Sequence, residues 1–265
     1  MLSLNGKQVN VTRFPDNTSQ VWQLENIDKD EAFIEWEFAT EGELFHLIQL
    51  VDLLRIEGVK HFSLFMQFLP YGRQDKVVSN ETSFALSSFA NVINSLKFDA
   101  VVSLDTHNPE MTTFLFDNFR NLFPYFEIGE VVKELNPDVL CFPDKGAIRR
   151  YGKELAYLNK IHTYGDKQRD QYTGQILSYE LKDDVTDRNV LIIDDICDGG
   201  ATFIHLAKAL FENGAKSVNL YTTHGIYSKG LQPLKDAGIE RIFSSKGEMS
   251  IYQSATVYKP FDKVS

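Results

Sequence analysis

Val190 to Thr202, VLIIDDICDGGAT, decides the fold of this chain. Val190 to Ile193 is a continuous apolar run, the pattern of a parallel-sheet strand covered on both faces. Ala201 to Asn213, ATFIHLAKALFEN, predicts the helix that follows, with Gly214 as its stop. Between them the turn Asp198-Gly199-Gly200-Ala201-Thr202 lets the backbone approach a ligand closely, and the N–H groups at a helix start favour a phosphate there. Asp194 and Asp195, just upstream, suit the hydroxyls of a ribose or a metal held by those hydroxyls. A strand that delivers two carboxylates into a glycine turn and a helix start therefore predicts a site for a phosphorylated sugar.

Composition sets outer limits. With 265 residues and 43% hydrophobic content, the chain can bury a substantial core as one large α/β domain or two smaller ones. No apolar run approaches the roughly 20 residues that span a bilayer, and the start MLSLNGKQVNV lacks a basic region followed by a hydrophobic core. A cytoplasmic location with no membrane partner is expected. The two cysteines, Cys141 and Cys197, have no zinc or disulfide spacing. A net charge of −10 argues against nucleic acid as a partner, so anionic ligands must meet local basic clusters.

Outward from the opening stretch, strands alternate with amphipathic helices, the α/β pattern. Leu44, Leu47, Ile48, Val51 and Leu54 fall at helical spacing; Phe62 to Leu69 reads as a buried strand ending at Pro70. Ser83 to Leu96 predicts a second helix and Ala100 to Leu104 a strand. The run Phe114, Phe116, Phe119, Phe123 and Phe126 reads as core packing or a subunit contact. In the second half, strands are expected at Val139 to Phe142, Ile161 to Thr163, Gln175 to Leu181 and Val190 to Ile193, with a helix from about Ile148. The rhythm repeats, so two similar α/β halves are expected, residues 1–126 and 127–265.

Three further loops stand at strand ends, where doubly wound sheets place ligands. Arg73, Gln74 and Asp75 put a guanidinium, an amide and a carboxylate in sequence, a set able to contact a triphosphate and its nucleoside. Asp105 and His107 are two apart and could face one pocket, with His107 a metal ligand or phosphate partner. Asp144, in Pro143-Asp144-Lys145-Gly146, suits a magnesium ion that keeps most of its waters and binds phosphates. Taken singly, each has a plain alternative as a solvated turn or a structural side chain.

In their order along the chain these loops, with the charged segment around Lys167 and Arg169, resemble the ribose-phosphate diphosphokinases, from about Val9 to Ser245. That family's pattern of Arg-Gln-Asp, Asp-x-His, Pro-Asp-x-Gly, a mobile Lys-x-Arg loop and a ribose-phosphate loop is matched by Arg73 to Asp75, Asp105 and His107, Asp144 and Gly146, Lys167 and Arg169, and Asp194 to Thr202. Type I phosphoribosyltransferases share the last loop but not the ATP-binding set. The resemblance implies two phosphoribosyltransferase-like domains, each a mostly parallel sheet flanked by helices. It also implies transfer of the β,γ-diphosphoryl group of ATP, as its Mg²⁺ complex, to the 1-hydroxyl of ribose 5-phosphate, giving phosphoribosyl pyrophosphate and AMP.

Residue by residue, the resemblance implies that Lys167 and Arg169 stabilise the transition state from a flexible loop. His107 and Asp144 position magnesium, with His107 also beside ATP. Asp194 and Asp195 orient the ribose, and Asp198, Gly199, Gly200, Ala201 and Thr202 hold the 5-phosphate. Phe14 and Asp16 resemble the family's adenine-contacting segment, which reaches a neighbouring subunit, so a homo-oligomer is expected.

Departures from the pattern bear on the substrate. Thr18 stands where the family usually has a glutamate, and Val77 to Ser83 lacks the basic residues tied to phosphate activation. Gly199 stands where a threonine is usual, which removes a contact and opens space for a 5-phosphate that continues into a larger group, such as ADP-ribose in NAD salvage. Diphosphoryl transfer to ADP-ribose is thus the alternative reading. A type I phosphoribosyltransferase, or a catalytically silent regulatory relative, is the third.

Overall fold

The computed structural model describes residues 1–22, 24, 27–169, 176–250 and 258–259, the side chains of 167–169, 176–178 and 258–259 excepted. The chain divides into two compact units, Met1–Phe123 and Pro124–Ser265. Among the described residues no helix is long and apolar enough to cross a membrane.

Unit 1 holds strands β1 (Leu2–Leu4), β2 (Lys7–Gln8), β3 (Asn10–Arg13), β4 (Ser19–Trp22), β5 (Glu31–Trp36), β6 (His61–Met66), β7 (Ala100–Leu104) and β8 (Phe119–Leu122), with helices α1 (Gly42–Ile56), α2 (Ala85–Ser95) and α3 (Pro109–Leu115). The main sheet runs β2-β1-β5-β6-β7-β8, with β5 to β8 parallel and β1 and β2 antiparallel at one edge. In α1 the buried residues Leu47, Leu50, Val51 and Leu54 recur at the 3.6-residue period, so one stripe faces the sheet. Leu86, Phe89, Ala90 and Ile93 do the same in α2.

The strands of this sheet alternate. Ala32, Ile34 and Trp36 of β5 and Phe62, Leu64 and Met66 of β6 are buried in the core with those helix stripes, whereas Phe33 and Phe65 stack on the opposite face, 6.4 Å apart, with Phe33 exposed. The strand expected to run to Leu69 therefore ends at Met66 and is covered on one face, a period-2 pattern hidden by aromatic residues on both sides. Of the phenylalanine-rich run, Phe116 is core, in contact with Phe89 and Phe119, while Phe114 and Phe126 are exposed.

Unit 2 holds α4 (Tyr125–Leu135), β9 (Val139–Phe142), α5 (Lys145–Tyr151), β10 (Ile161–Arg169), β11 (Ile176–Leu181), β12 (Asn189–Cys197), α6 (Ala201–Glu212), β13 (Ser217–Gly225), α7 (Gln232–Asp236), β14 (Ile239–Ser244), β15 (Gly247–Met249) and β16 (Tyr258–Lys259). Its sheet runs β11-β10-β9-β12-β13-β14-β15-β16; β10, β9, β12, β13 and β14 are mutually parallel and the outer strands antiparallel. Val190 to Ile193 is buried throughout, as an apolar run covered on both faces requires. Phe203, Leu206, Ala207 and Leu210 of α6 close over one face of this sheet. Gly214, at φ +81, ends the segment beyond α6.

Three expectations change here: the strand expected at Val190 to Ile193 runs from Asn189 through Asp194 and Asp195 to Cys197. The strand at Ile161 does not stop at Thr163: its backbone continues through Lys167 and Arg169, paired antiparallel with β11 (Lys167 with Tyr179, Arg169 with Ile176). A polar, charged strand on an outer hairpin has no hydrophobic run to betray it. The helix expected from Ile148 begins at Lys145 instead, because Asp144 caps it.

Candidate functional site

In unit 2, β9, β12 and β13 are parallel neighbours, so the loops that follow them leave the same edge of the sheet. At that edge stand Asp144, then Asp194 to Thr202 from the end of β12 into α6, then residues 225–230 from the end of β13. After β9, Asp144 accepts hydrogen bonds through Oδ1 from the N–H groups of Gly146 (2.9 Å) and Ala147 (3.0 Å), an N-cap that fixes its carboxylate at the strand end.

The paired aspartates near the end of β12 are held by a residue with no sequence signal. Arg150, on α5, donates from one terminal nitrogen to Asp194 Oδ1 at 3.0 Å and Asp195 Oδ1 at 2.8 Å. Its guanidinium also lies over the Tyr151 ring, 4.9 Å from the centroid. All three side chains are largely buried, Asp195 to 3% exposure. Burial, with Asp195 alongside, pushes the Asp194 carboxyl well above the ordinary carboxylate range, while Arg150 pulls the other way. Two carboxylates sharing one guanidinium form a prepositioned acceptor pair for hydroxyl donors. The contacts span 44 and 45 residues of sequence, and only the alignment of β9 beside β12 brings them together.

Beyond the aspartates, Gly200 adopts φ +78, a backbone conformation that favours glycine, and a Cβ there would sit 3.0 Å from Leu234. The turn delivers the chain into α6 at Ala201, and the first-turn N–H groups, including those of Ala201 and Thr202, face the same strand end. Asp198 is exposed and accepts a 2.6 Å hydrogen bond from Ser228 Oγ on the loop after β13. Gly199 does not leave open space. A Cβ built on it would meet the Cε, Cδ and Cγ atoms of Lys229 at 3.5, 3.6 and 3.8 Å, so a lysine stem lies across the position where the resemblance expects a threonine side chain.

Cys197 is also buried here, and burial, followed by the charges of Asp194 and Asp198, pushes its thiol up to about 12, so it stands as an uncharged packing residue rather than a nucleophile. Lys167 and Arg169 stand by their backbones on the distal half of β10; their side chains lie outside the described residues, as do residues 170–175. The flexible loop expected to carry them is replaced at these two positions by a strand.

In unit 1 the parallel neighbours β6 and β7 bring the Arg73 to Asp75 and Asp105 to His107 loops to one sheet edge. Asn108 ties them together. Its Nδ2 donates to Asp75 Oδ2 at 2.7 Å, and its Oδ1 accepts from Met111 N at 3.1 Å as the cap of α3. Arg73, Gln74 and His107 are exposed and Asp75 is partly buried. Asp105 and His107 differ in burial: Asp105 is buried with φ +45 and its N–H donates to the Leu122 carbonyl, whereas His107 is exposed. The positive φ breaks the alternation that two-residue spacing assumed.

Phe14 and Asp16 lie on the turn of the β3–β4 hairpin. The hairpin is docked on α1 by Gln49, which accepts from Val21 N at 2.9 Å and donates to the Ser19 carbonyl at 3.0 Å. Thr18 donates from its hydroxyl (2.7 Å) and N–H (3.0 Å) to Asp16 Oδ1, which holds that carboxyl below its usual range. The threonine in place of glutamate therefore fixes the Asp16 turn.

The arrangement has known counterparts. A phosphoribosyl transferase domain matches residues 129–253. The ribose-phosphate pyrophosphokinase of Thermococcus kodakarensis is 27% identical over 259 residues, covering 97% of this chain and 89% of that protein. That of Agrobacterium fabrum is 30% identical over 241 residues, covering 89% and 75%. Among solved structures, phosphoribosylpyrophosphate synthetase from Mycobacterium smegmatis superposes with a TM-score of 0.77 at 22% identity, over 89% of this chain and 79% of that one, a likeness of fold. With the family's motifs in order and relatives matched at this identity over most of both chains, the chain belongs to the ribose-phosphate pyrophosphokinase family.

Proposed function

We infer that this protein transfers the β,γ-diphosphoryl group of Mg-ATP to the 1-hydroxyl of ribose 5-phosphate, releasing AMP and phosphoribosyl pyrophosphate. The observation that carries the reading is the unit 2 strand edge, where a guanidinium-clamped aspartate pair stands beside a glycine turn and a helix start. That edge offers acceptors to ribose hydroxyls and N–H donors to a phosphate. The sugar oxygen attacks the β-phosphorus, the bond from that phosphorus to the AMP oxygen breaks, and the hydroxyl proton is released. Such a step asks the protein mainly for alignment and for stabilisation of charge on the phosphoryl oxygens. Lys167 and Arg169 are assigned that charge stabilisation, and a strand-borne position gives them a fixed base from which to reach.

Magnesium enters as part of the nucleotide substrate. No group of three or more His, Cys, Asp or Glu side chains gathers around one point among the described residues. Mg²⁺ needs less, since it keeps several waters and is held by substrate phosphates with one or two protein groups. Asp144 on its capped turn and His107 are the residues proposed for that contact. Phe14 and Asp16, on an exposed hairpin turn, are proposed to meet adenine in a neighbouring subunit. The case for ADP-ribose as acceptor is weakened, because the space beside Gly199 is bordered by the Lys229 stem rather than open.

The test is incubation with Mg-ATP and either ribose 5-phosphate or ADP-ribose, with AMP measured by chromatography. AMP formed only with ribose 5-phosphate is the expected result, and AMP with neither acceptor overturns the reading. Lys167→Ala is expected to lower turnover about 10³-fold, roughly 4 kcal/mol of transition-state stabilisation, with an unchanged unfolding midpoint. Near-normal turnover would remove Lys167 from the mechanism.

A further inference from the structure

We propose that Lys229 is a specificity-determining residue of the acceptor site, a cation that selects a sugar whose 5-phosphate is a terminal, doubly ionised monoester. The proposal deepens the function inferred above and rests on it. Its starting point is the contact between two loops distant in sequence: the Lys229 stem runs across Gly199 at 3.5 to 3.8 Å from where a Cβ would be, which places the ammonium one bond beyond the Cε that touches the phosphate turn. A side chain at 199 of more than a Cβ would compete with that stem. Gly199 and Lys229 therefore act as a pair, in which the glycine makes room and the lysine supplies what the turn lacks.

The loop that presents Lys229 is anchored to the strand it serves. The N–H groups of Ile226 and Tyr227 both donate to the Cys197 carbonyl, at 2.8 and 3.1 Å, and Ser228 Oγ donates to Asp198 at 2.6 Å. Gly230 N closes the turn on the Tyr227 carbonyl at 2.7 Å. Beneath it the Tyr227 hydroxyl lies 3.2 Å from Thr222 Oγ1. Four hydrogen bonds hold the loop on both sides of Lys229, three of them to Cys197 and Asp198, the last strand residue and the first residue of the phosphate turn. Among the described residues the ammonium has no carboxylate partner, so its charge is available to a ligand.

The chemistry follows from charge and reach. First-turn N–H groups bind any phosphate, whereas an added ammonium rewards the extra charge of a monoester over a diphosphate diester, whose phosphate next to the sugar carries one charge and continues into a second group.

Four proteins test the pair: wild type, Lys229→Ala, Gly199→Thr and the double variant, each assayed for KM of ribose 5-phosphate and of ATP, and titrated calorimetrically with ribose 5-phosphate alone. Lys229→Ala is expected to raise KM and Kd for ribose 5-phosphate about 10-fold, the size of a lost charge-assisted contact, with the ATP KM as internal reference. The wild-type Kd should rise more steeply with salt than that of the variant. Gly199→Thr brings atoms beyond a Cβ against the lysine stem and should cause a loss of similar size, and the double variant should be no worse than either single one. An unchanged Kd in Lys229→Ala, additive losses in the double variant, or a wild type that does not bind ribose 5-phosphate overturns the assignment. Wild type that binds the sugar phosphate without forming AMP overturns the diphosphoryl-transfer reading instead, and the binding ratio still judges Lys229.

Discussion

The two loop clusters solve opposite problems with similar sheets. At the strand edge of unit 2, a buried ion-pair cluster stands before any ligand arrives, with Arg150 clamping Asp194 and Asp195, while Asp144 caps α5 and Ser228 hydrogen-bonds the exposed Asp198. At the corresponding edge of unit 1, Arg73, Gln74 and His107 are exposed, and Asn108 links the two loops through Asp75. Under the function proposed above, unit 2 takes the compact sugar phosphate, which has few groups with which to organise its site, so the protein would organise it in advance, and unit 1 takes the nucleotide. A flexible triphosphate with its own metal brings charge enough to order exposed side chains around itself. The contrast lies in how the charged side chains are held, in a buried ion-pair cluster in unit 2 and on exposed loops in unit 1.

The sharpest way to break this comparison is to remove the clamp. Arg150→Met leaves two carboxylates in a site built around a cation, which should destabilise the fold by about 3 kcal/mol, read as a lowered midpoint in denaturant unfolding. The loss should shrink at pH 5 relative to pH 8, because protonation relieves the uncompensated charge. Adding Asp194→Asn to Arg150→Met should recover part of the stability. A change below about 0.5 kcal/mol would mean that the pair behaves as a surface contact and that unit 2 is no more preorganised than unit 1.

The matching cut in unit 1 is Asn108→Ala. It deletes the α3 cap and the contact with Asp75 together. Loss of about 1 kcal/mol is expected from the cap, with a several-fold rise in the KM for ATP and little change for ribose 5-phosphate. Should the sugar KM rise as much as that of ATP, the two clusters would not divide the substrates as described.

How much of this was legible depends on where the information lies along the chain. The apolar half of β12, α6 and its Gly214 stop are readable because apolar runs and glycine punctuation are local, whereas Asp194 to Cys197 extend the strand past that run. The strands Ala100–Leu104 and Val139–Phe142 match their expected bounds for the same reason. β10 was cut short because its distal half, GDKQR, is polar and gains its strand character from β11. Asp144 was legible as a carboxylate at a strand end but not as the cap that starts α5 early. Arg150 and Lys229 were invisible because their partners lie far away in sequence and only the parallel order β9-β12-β13 gathers them. Gly199 shows the cost of reading one position alone: the missing side chain signified vacancy until the lysine over it was seen.

The finest test of a prepaid site is a substitution that improves the fold. Asp194 has its carboxyl held well above its ordinary 3.8 by burial and by Asp195, so the folded state binds a proton more tightly than the unfolded chain does. Between that ordinary value and the raised one, the folded state carries more protons, and stability must fall as pH rises through the window. Above it the full penalty is present. Asp194→Asn removes the charge, keeps an acceptor oxygen for Arg150 and leaves Asp195 in place, so at pH 8 it should stabilise the protein by about 1 kcal/mol, with no gain at pH 3.5, where the wild-type carboxyl is already protonated. The same variant should bind ribose 5-phosphate less well, since a neutral amide accepts hydroxyl hydrogen bonds more weakly than a carboxylate. A gain in stability joined to a loss of sugar binding would show that the strain at Asp194 is held for the acceptor. Stability lost at pH 8 would show that the Arg150 ion pair outweighs burial and that the site is held together by its charges rather than strained by them.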